Sequence, residues 1–133
     1  MSSKIKKEKF FVIGSNSFSG SHFVNELLEN GYKVWGVSRS SQPDKLFLPY
    51  YWKNNEDYLF KDSLENFVFN EFDLNKDMHE IINLIHEIQP EFIVNFASQG
   101  MVAESWNNPV HWYKTNVVSQ VELHDALRKR KFL

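Results

Sequence analysis

Residues Phe10 to Gly31 read FFVIGSNSFSGSHFVNELLENG, and the spacing Gly14-x-x-Ser17-x-x-Gly20 within them is where this chain has the means for chemistry. A short apolar strand runs into a glycine-marked turn and then into a helix. Gly14 stands where the backbone must bend sharply, and a side chain there would obstruct the bend. Gly20 stands at the helix start, where a missing side chain lets helix and strand pack closely. The N–H groups of a helix start, with the positive end of the helix dipole behind them, suit a phosphate or pyrophosphate. A middle glycine is usual in such a cradle. Here it is Ser17, small enough for close phosphate approach and able to donate its hydroxyl to a phosphate oxygen. An ordinary strand-turn-helix connection uses the same two glycines, so the turn alone leaves that reading open. No Gly-Lys-Ser/Thr ending follows, which sets aside a mononucleotide P-loop.

Aiming this turn requires a sheet behind it. Lys9–Ile13 reads as the first strand, and residues 21–30 as a helix burying Phe23, Val24, Leu27 and Leu28, stopped by Gly31. Residues 33–37 and 67–72 read as the second and third strands. Asn75 or Asp77 caps the next helix, whose apolar stripe is Met78, Ile81, Ile82, Ile85 and Ile88 and which Pro90 closes. Residues 91–96 read as a fourth strand. Asn108 followed by Pro109 reads as a cap and first helical residue, with the helix running to about Lys129. Strands separated by helical patterns imply parallel pairing through right-handed crossovers. The expected fold is α/β, a Rossmann-like doubly wound parallel sheet, truncated, with strand order 3-2-1-4.

Two stretches are less regular. Residues 41–65 are too long for an ordinary connection and carry Phe47, Tyr50, Tyr51, Trp52, Tyr58 and Phe60. They pack locally over the sheet edge or form a lid or adenosine-side wall. The last helix has two apolar stripes. Val110, Tyr113, Val117 and Val121 line one side, and Trp112, Leu123, Ala126 and Leu127 line nearly the opposite side. A helix lying on a sheet needs one stripe, so the second expects a partner. The Trp112/Leu123/Leu127 side is expected to be the exposed one, and a homo-oligomer through the 109–130 helix follows.

The bulk properties bound the classes available. The 133 residues, 42% hydrophobic and 24% charged, suit one globular domain. Residues 1–8 read as a disordered basic N-terminus without a secretory h-region, and 9–133 as the domain. A net charge of −2 does not suggest a nucleic-acid binder. The run Arg128-Lys129-Arg130-Lys131 reads as a solvated helix end suited to the dipole. With 0 cysteines there is no thiolate site, and a reducing, cytoplasmic location is expected. No apolar run approaches membrane-spanning length, so no membrane partner is expected. His79 and His86 share a helix face without a third ligand, so no metal site is expected.

Taken together, these segments resemble the N-terminal half of NAD(P)-dependent sugar-nucleotide epimerases and dehydratases, the extended short-chain dehydrogenases/reductases. Phe11-Val12-Ile13-Gly14 through Gly20-Ser21-His22 is similar to the family's opening strand, phosphate turn and helix. Phe72-Asp73-Leu74 is similar to its acidic position after the third strand. Asn95-Phe96-Ala97-Ser98-Gln99, Ser105-Trp106, Pro109 and Thr115-Asn116 follow its fourth-strand segment and next helix. The Ala97-Ser98-Gln99 stretch and the Arg39-x-Ser41 end of the second strand look most like the GDP-mannose or dTDP-glucose 4,6-dehydratase branch. The resemblance covers about residues 9–130.

The resemblance implies roles for particular residues. Gly14, Ser17 and Gly20 surround the pyrophosphate, with Phe18 and Ser19 along the same turn. Asp73 accepts a hydrogen bond from the adenine amino group and Leu74 packs by the ring. Phe96, Ala97 and Ser98 pass beside the cofactor at the carboxyl end of the fourth strand. Ser105 matches a substrate-side serine, Asn116 a structural asparagine, and Met101 stands where the family has a histidine. A carboxylate at the end of the second strand would pair with the ribose 2′-hydroxyl of NAD, but the residues there are Val37-Ser38-Arg39-Ser40-Ser41. Arg39 suits a 2′-phosphate, with Ser38 or Ser40 donating to it, so NADP is favoured over NAD. Arg39 is otherwise a solvated strand-end cation.

The family's chemistry needs a tyrosine followed four residues later by a lysine. None of Tyr32, Tyr50, Tyr51, Tyr58 and Tyr113 has one, so no catalytic residue is assigned. The expectation is a truncated chain, the dinucleotide-binding portion of a 4,6-dehydratase or epimerase whose full-length parent acts on a nucleotide-sugar. The alternatives are a non-catalytic NADP-sensing module and an interaction module whose turn no longer binds nucleotide.

Overall fold

The computed structural model describes residues 8–52 and 64–132. Strands β1 (Lys9–Ile13), β2 (Lys33–Ser38), β3 (Phe67–Glu71) and β4 (Phe92–Asn95) form a four-stranded sheet. All three pairings are parallel and the order is β3-β2-β1-β4, as strand–helix alternation predicts. Central β1 places Ile13 beside both Val37 and Asn95. From Phe10 to Ile13 it is a continuous apolar run, in keeping with a sheet covered on both faces. Phe11 and Ile13 join one core cluster, with Val37, Ile81, Ile85 and Leu123. Val12 faces the other way, into a second cluster with Val24, Leu28, Val34, Leu48 and Tyr50.

Helix α1 (Phe18–Glu29) covers the second face. It starts earlier than the expected Ser21 because Ser17 is its N-cap, accepting from the Gly20 N–H at 3.0 Å. Gly31 follows it at φ 81°, the left-handed stop that glycine supplies at no steric cost. Helix α2 (Met78–Ile88) covers the first face with Ile81, Ile82 and Ile85. Its N-cap residue is Asp77, but no side chain caps it. The Asp77 carboxylate instead accepts from the Asp73 N–H at 2.8 Å. Gln89 turns left-handed at φ 50° before Pro90.

After β4 a short helix that the periodicity did not signal, α3 (Val102–Asn107), is followed by α4 (Pro109–Tyr113), a π-helical turn (Lys114–Val118) and α5 (Ser119–Arg128). The expected single helix is thus one helical run with a π turn in its middle. Its exposed side is the reverse of the expectation. Leu123 is 1% exposed, against 63% for Val121 and 78% for Val110. Ala126 and Leu127 pack against the cluster that holds Leu123 and α2's isoleucines. Both stripes satisfy helical periodicity, and α2 accepts the one whose long leucines fill the space between the helices. Val110, Tyr113, Val117 and Val121 face outward.

Within residues 41–65, the structure describes 3-10 turns at Lys45–Phe47 and Pro49–Tyr51. Leu48 and Tyr50 are buried against Val34 and α1, which favours local packing over a lid. Phe47 and Trp52 are exposed. Tyr58, Phe60 and the basic segment 1–7 lie outside the described residues.

Burial pushes the Tyr50 phenol up to about 12, against a smaller opposing effect of the hydrogen bond it accepts from Gln42. The folded chain therefore holds this proton more tightly than the unfolded chain does. The resulting stability is complete below about pH 10 and is lost as pH rises toward about 12, by up to about 3 kcal/mol. Alkaline denaturation should show one tyrosine ionising only with unfolding, by absorbance of the tyrosinate. Tyr50→Phe should flatten the slope of stability in that window; an unchanged slope would show that Tyr50 ionises freely in the folded chain.

Candidate functional site: a cleft at the carboxyl ends of the strands

The β1 strand is followed by Gly14 at φ 80°. A Cβ there would lie 2.8 Å from the Ala97 nitrogen and 2.9 Å from the Phe96 carbonyl carbon, so conformation and space both call for glycine. At Gly20 a Cβ would lie 2.1 Å from the Gly14 carbonyl oxygen. The helix start is therefore pressed directly onto the strand exit. Ser17 bridges the two glycines, donating to the Gly14 carbonyl at 2.8 Å and accepting from the Gly20 N–H at 3.0 Å. This hydroxyl is committed to the turn, not directed outward as the expected phosphate donor. The N–H groups of Phe18 and Ser19, as the first two helical residues, have no intrahelical acceptor. No carboxylate stands in the first turn of α1 to compete with an anion.

A cleft of about 290 Å³ opens beside this turn. Gly14 and Ser17 form one part of its wall, Arg39 and Ser40 another, and Asp73 and Leu74 a third. Phe96, Ala97 and Ser98 complete it from the exit of β4. Nine of the expected site residues thus meet around one cleft, although they come from four separate segments of the chain. It lies at the carboxyl ends of the strands, with β2 and β4 on opposite sides of β1, the switch point where open α/β sheets hold ligands. Phe18, Ser19 and Gly20 do not line it. The Phe18 ring is 82% exposed and lies 4.6 Å from the His22 ring. Asp73 lines the cleft while one of its carboxylate oxygens accepts from the Asn75 N–H at 2.8 Å.

Ser105 stands elsewhere. Its hydroxyl donates to the Val102 carbonyl at 2.6 Å, and it lines a separate groove with Trp106, Pro109, Trp112 and Asn116. Met101 precedes α3 and is exposed.

Residues not singled out as cleft-lining also contribute. Asn16, Asn75, Gln99 and Thr115 line the cleft, and polar side chains fix the β4 exit to the last helical run. Gln99 donates its N–H to Asn116 Oδ1 at 2.8 Å, and Asn116 Nδ2 donates to the Gln99 carbonyl at 3.1 Å. Gln120 Nε2 donates to the carbonyls of Ala97 and Thr115, both at 3.1 Å. Asn75 donates to the Thr115 hydroxyl at 2.7 Å and accepts from the Ser119 hydroxyl at 2.6 Å. The π turn brings Thr115 and Asn116 into this network, and such turns recur where a helix serves a site. Spacing gives no sign of Gln120, which sits on a helix 25 residues from its partner Asn95.

A parallel β3-β2-β1-β4 sheet with its cleft at a glycine turn places the protein in the Rossmann-like α/β class. The chain belongs to the family described as GDP-mannose 4,6 dehydratase, whose sequence model matches residues 11–132. Protein CapI of Staphylococcus aureus is 30% identical over 120 residues, 90% of this chain and 34% of that protein. GDP-mannose 4,6-dehydratase of Vibrio cholerae is 29% identical over 127 residues, 93% of this chain and 32% of that protein. Among solved structures, UDP-glucose 4-epimerase of Thermotoga maritima, with UDP-glucose, aligns at a TM-score of 0.68 and 26% identity over 89% of this chain and 33% of its own. The UDP-glucose 4-epimerase of Stenotrophomonas maltophila, with bound NAD and a UDP-sugar, has a TM-score of 0.71 at 21% identity over 91% of this chain and 33% of its own, a likeness of fold. The chain spans about a third of the length of the curated relatives it matches. Among the described residues no helix is long and apolar enough to cross a membrane.

Proposed function

We propose that this chain is the dinucleotide-binding portion of an NAD(P)-dependent sugar-nucleotide 4,6-dehydratase or epimerase, located in the cytoplasm. The observation that carries the reading is the tight turn at Gly14 and Gly20, where any Cβ would collide with the backbone of Ala97 or of Gly14, set beside a cleft lined by Asp73, Leu74 and the β4 exit. In this reading the pyrophosphate meets the N–H groups of Phe18 and Ser19, and Ser17 acts as the clasp that holds the turn in shape. Asp73 and Leu74 would hold the adenine, and Phe96, Ala97 and Ser98 would flank the rest of the cofactor. The bound nicotinamide supplies hydride chemistry at a sugar carbon. This chain's residues bind and orient, and with no Tyr-x-x-x-Lys pair to move the sugar-hydroxyl proton, the chain alone turns over no substrate. Ser105, in its own groove, belongs to the sugar side of this reading.

Cofactor choice rests on Arg39 and Ser40, both exposed at the cleft, and on the lack of any carboxylate from Val37 to Ser41. A guanidinium there favours a 2′-phosphate, so NADP is the preferred partner. Calorimetric titration of the chain with NADPH and NADH tests this. Arg39→Ala should weaken NADPH about tenfold and change NADH less than about twofold. Equal effects on both nucleotides would reduce Arg39 to a solvated cation. The second reading, an interaction module whose turn no longer binds nucleotide, draws on Ser17, whose hydroxyl is spent on the Gly14 carbonyl. Failure of the folded chain to bind either nucleotide would put the interaction module first.

The outward stripe of Val110, Tyr113, Val117 and Val121 is the surface for self-association in this reading. Sedimentation should show concentration-dependent association that Val121→Lys weakens. A chain that stays monomeric at high concentration would remove the homo-oligomer.

A further inference from the structure

Up to Ser38 the path of β2 is set by the sheet. The Val37 carbonyl accepts from the N–H groups of Gly14 at 2.7 Å and Ser15 at 3.3 Å, and the Ser38 carbonyl accepts from the Phe72 N–H at 2.9 Å. Beyond that point Arg39, Ser40 and Ser41 are exposed, and a long side chain on an exposed loop has no reason to stay over a cleft. Gln42, just beyond this loop, is tied to the hydroxyl of buried Tyr50 at 2.9 Å, and Asn16, two residues into the phosphate turn, ties residues 40 and 41 themselves. Its Nδ2 donates to the Ser40 carbonyl at 3.0 Å and to the Ser41 carbonyl at 3.1 Å, across 24 and 25 residues of sequence. Its backbone N–H donates to the Ser38 hydroxyl at 3.0 Å. An asparagine in a turn ordinarily bonds its own neighbouring backbone. This one spends both amide hydrogens on the distant loop, and its Oδ1 is buried without a partner. The local turn does not need that arrangement, since Ser17 already ties Gly14 to Gly20.

We propose that Asn16 is the positioning residue for cofactor choice, clamping the loop of Arg39, Ser40 and Ser41 to the phosphate turn so that one rigid wall meets both the pyrophosphate and the ribose 2′ group. The proposal rests on the dinucleotide reading of the cleft. Asn16 gives its amide hydrogens to the Ser40 and Ser41 carbonyls and in this proposal acts through Arg39. Removing its side chain frees the loop while leaving the Gly14–Ser17–Gly20 clasp in place, so the pyrophosphate contacts stay and the preference goes.

The test titrates NADPH and NADH into the parent chain, Asn16→Ala, Arg39→Ala and the double variant, with circular dichroism confirming the fold of each. Asn16→Ser, small and compatible with a turn but too short to reach the loop, replaces the alanine variant if that one unfolds. In Asn16→Ala, NADPH should bind about fivefold more weakly with NADH within about twofold, and the double variant should be no weaker than Arg39→Ala alone, the non-additivity of two residues acting as one. Equal loss for both nucleotides, an unchanged preference, or additive losses in the double variant would each overturn the clamp while leaving the dinucleotide reading standing. A parent chain that binds neither nucleotide, or prefers NADH, overturns the cofactor reading and the clamp together, and the parent's own titration tells these failures apart.

Discussion

Gly20→Ala should destabilise the chain by about 3 kcal/mol, although alanine is the better helix former. Helix propensity favours the substitution by about 1 kcal/mol. Against that, the new Cβ would stand 2.1 Å from the Gly14 carbonyl oxygen and 2.8 Å from Ser17 Oγ. The first neighbour is backbone, and it is held from several sides. It accepts from the Ser17 hydroxyl at 2.8 Å and the Ser17 N–H at 3.1 Å, while the Gly14 N–H is bound to Val37. Relief requires α1 to move off the strand exit, which would open the face that buries Val24 and Leu28. Urea unfolding of both chains measures the difference. An alanine variant as stable as the parent would mean that propensity outweighs the clash and that α1 has room to shift. The same substitution should abolish nucleotide binding, because the amides of Phe18 and Ser19 would leave with the helix start.

Leu123→Ala should cost about 3 kcal/mol, and Val121→Ala less than about 0.5 kcal/mol. These residues stand two apart on α5 and lie on opposite sides of it. Leu123 is 1% exposed, packed in the cluster of Phe11, Ile81 and Ile85, so truncation leaves a cavity with no water to fill it. Val121 is 63% exposed, and its loss changes little in an isolated chain. Chemical denaturation of the two variants side by side decides which stripe of the last helical run faces the core. A larger loss at Val121 would reverse the assignment of faces. A substantial loss at both, with the Val121 loss growing with protein concentration, would point to an associated state that buries the outer stripe as well.

Much of this architecture is legible in the order of residue types. The strand order follows from four apolar runs separated by helical stripes, because short connections and right-handed crossovers leave few alternatives. Gly14 and Gly20 announce a tight turn because the left-handed backbone of Gly14 and the close approach of Gly20 to the Gly14 carbonyl both disfavour a side chain. The Ile81, Ile82 and Ile85 stripe announces the face of α2. Element ends were less legible. Ser17 starts α1 because it reaches Gly20 and Gly14 at once, and a serine in a turn does not declare how many residues beyond it are helical.

The cofactor-side wall was legible only in pieces. Arg39, Asp73 and Ala97 were candidates by type and position, but their convergence on one cleft depends on the parallel registry of β1, β2, β3 and β4. Asn16, Asn75 and Gln120 act by bonds to residues 24 or more positions away, and no local pattern encodes such a partner. The two stripes of the last helix show the division most plainly. Each repeats with helical period, so the order of residues encodes a helical segment with two apolar sides. Which side is core was decided by the tertiary structure, because only the position of α2's isoleucines makes room for Leu123 and leaves Val121 outside.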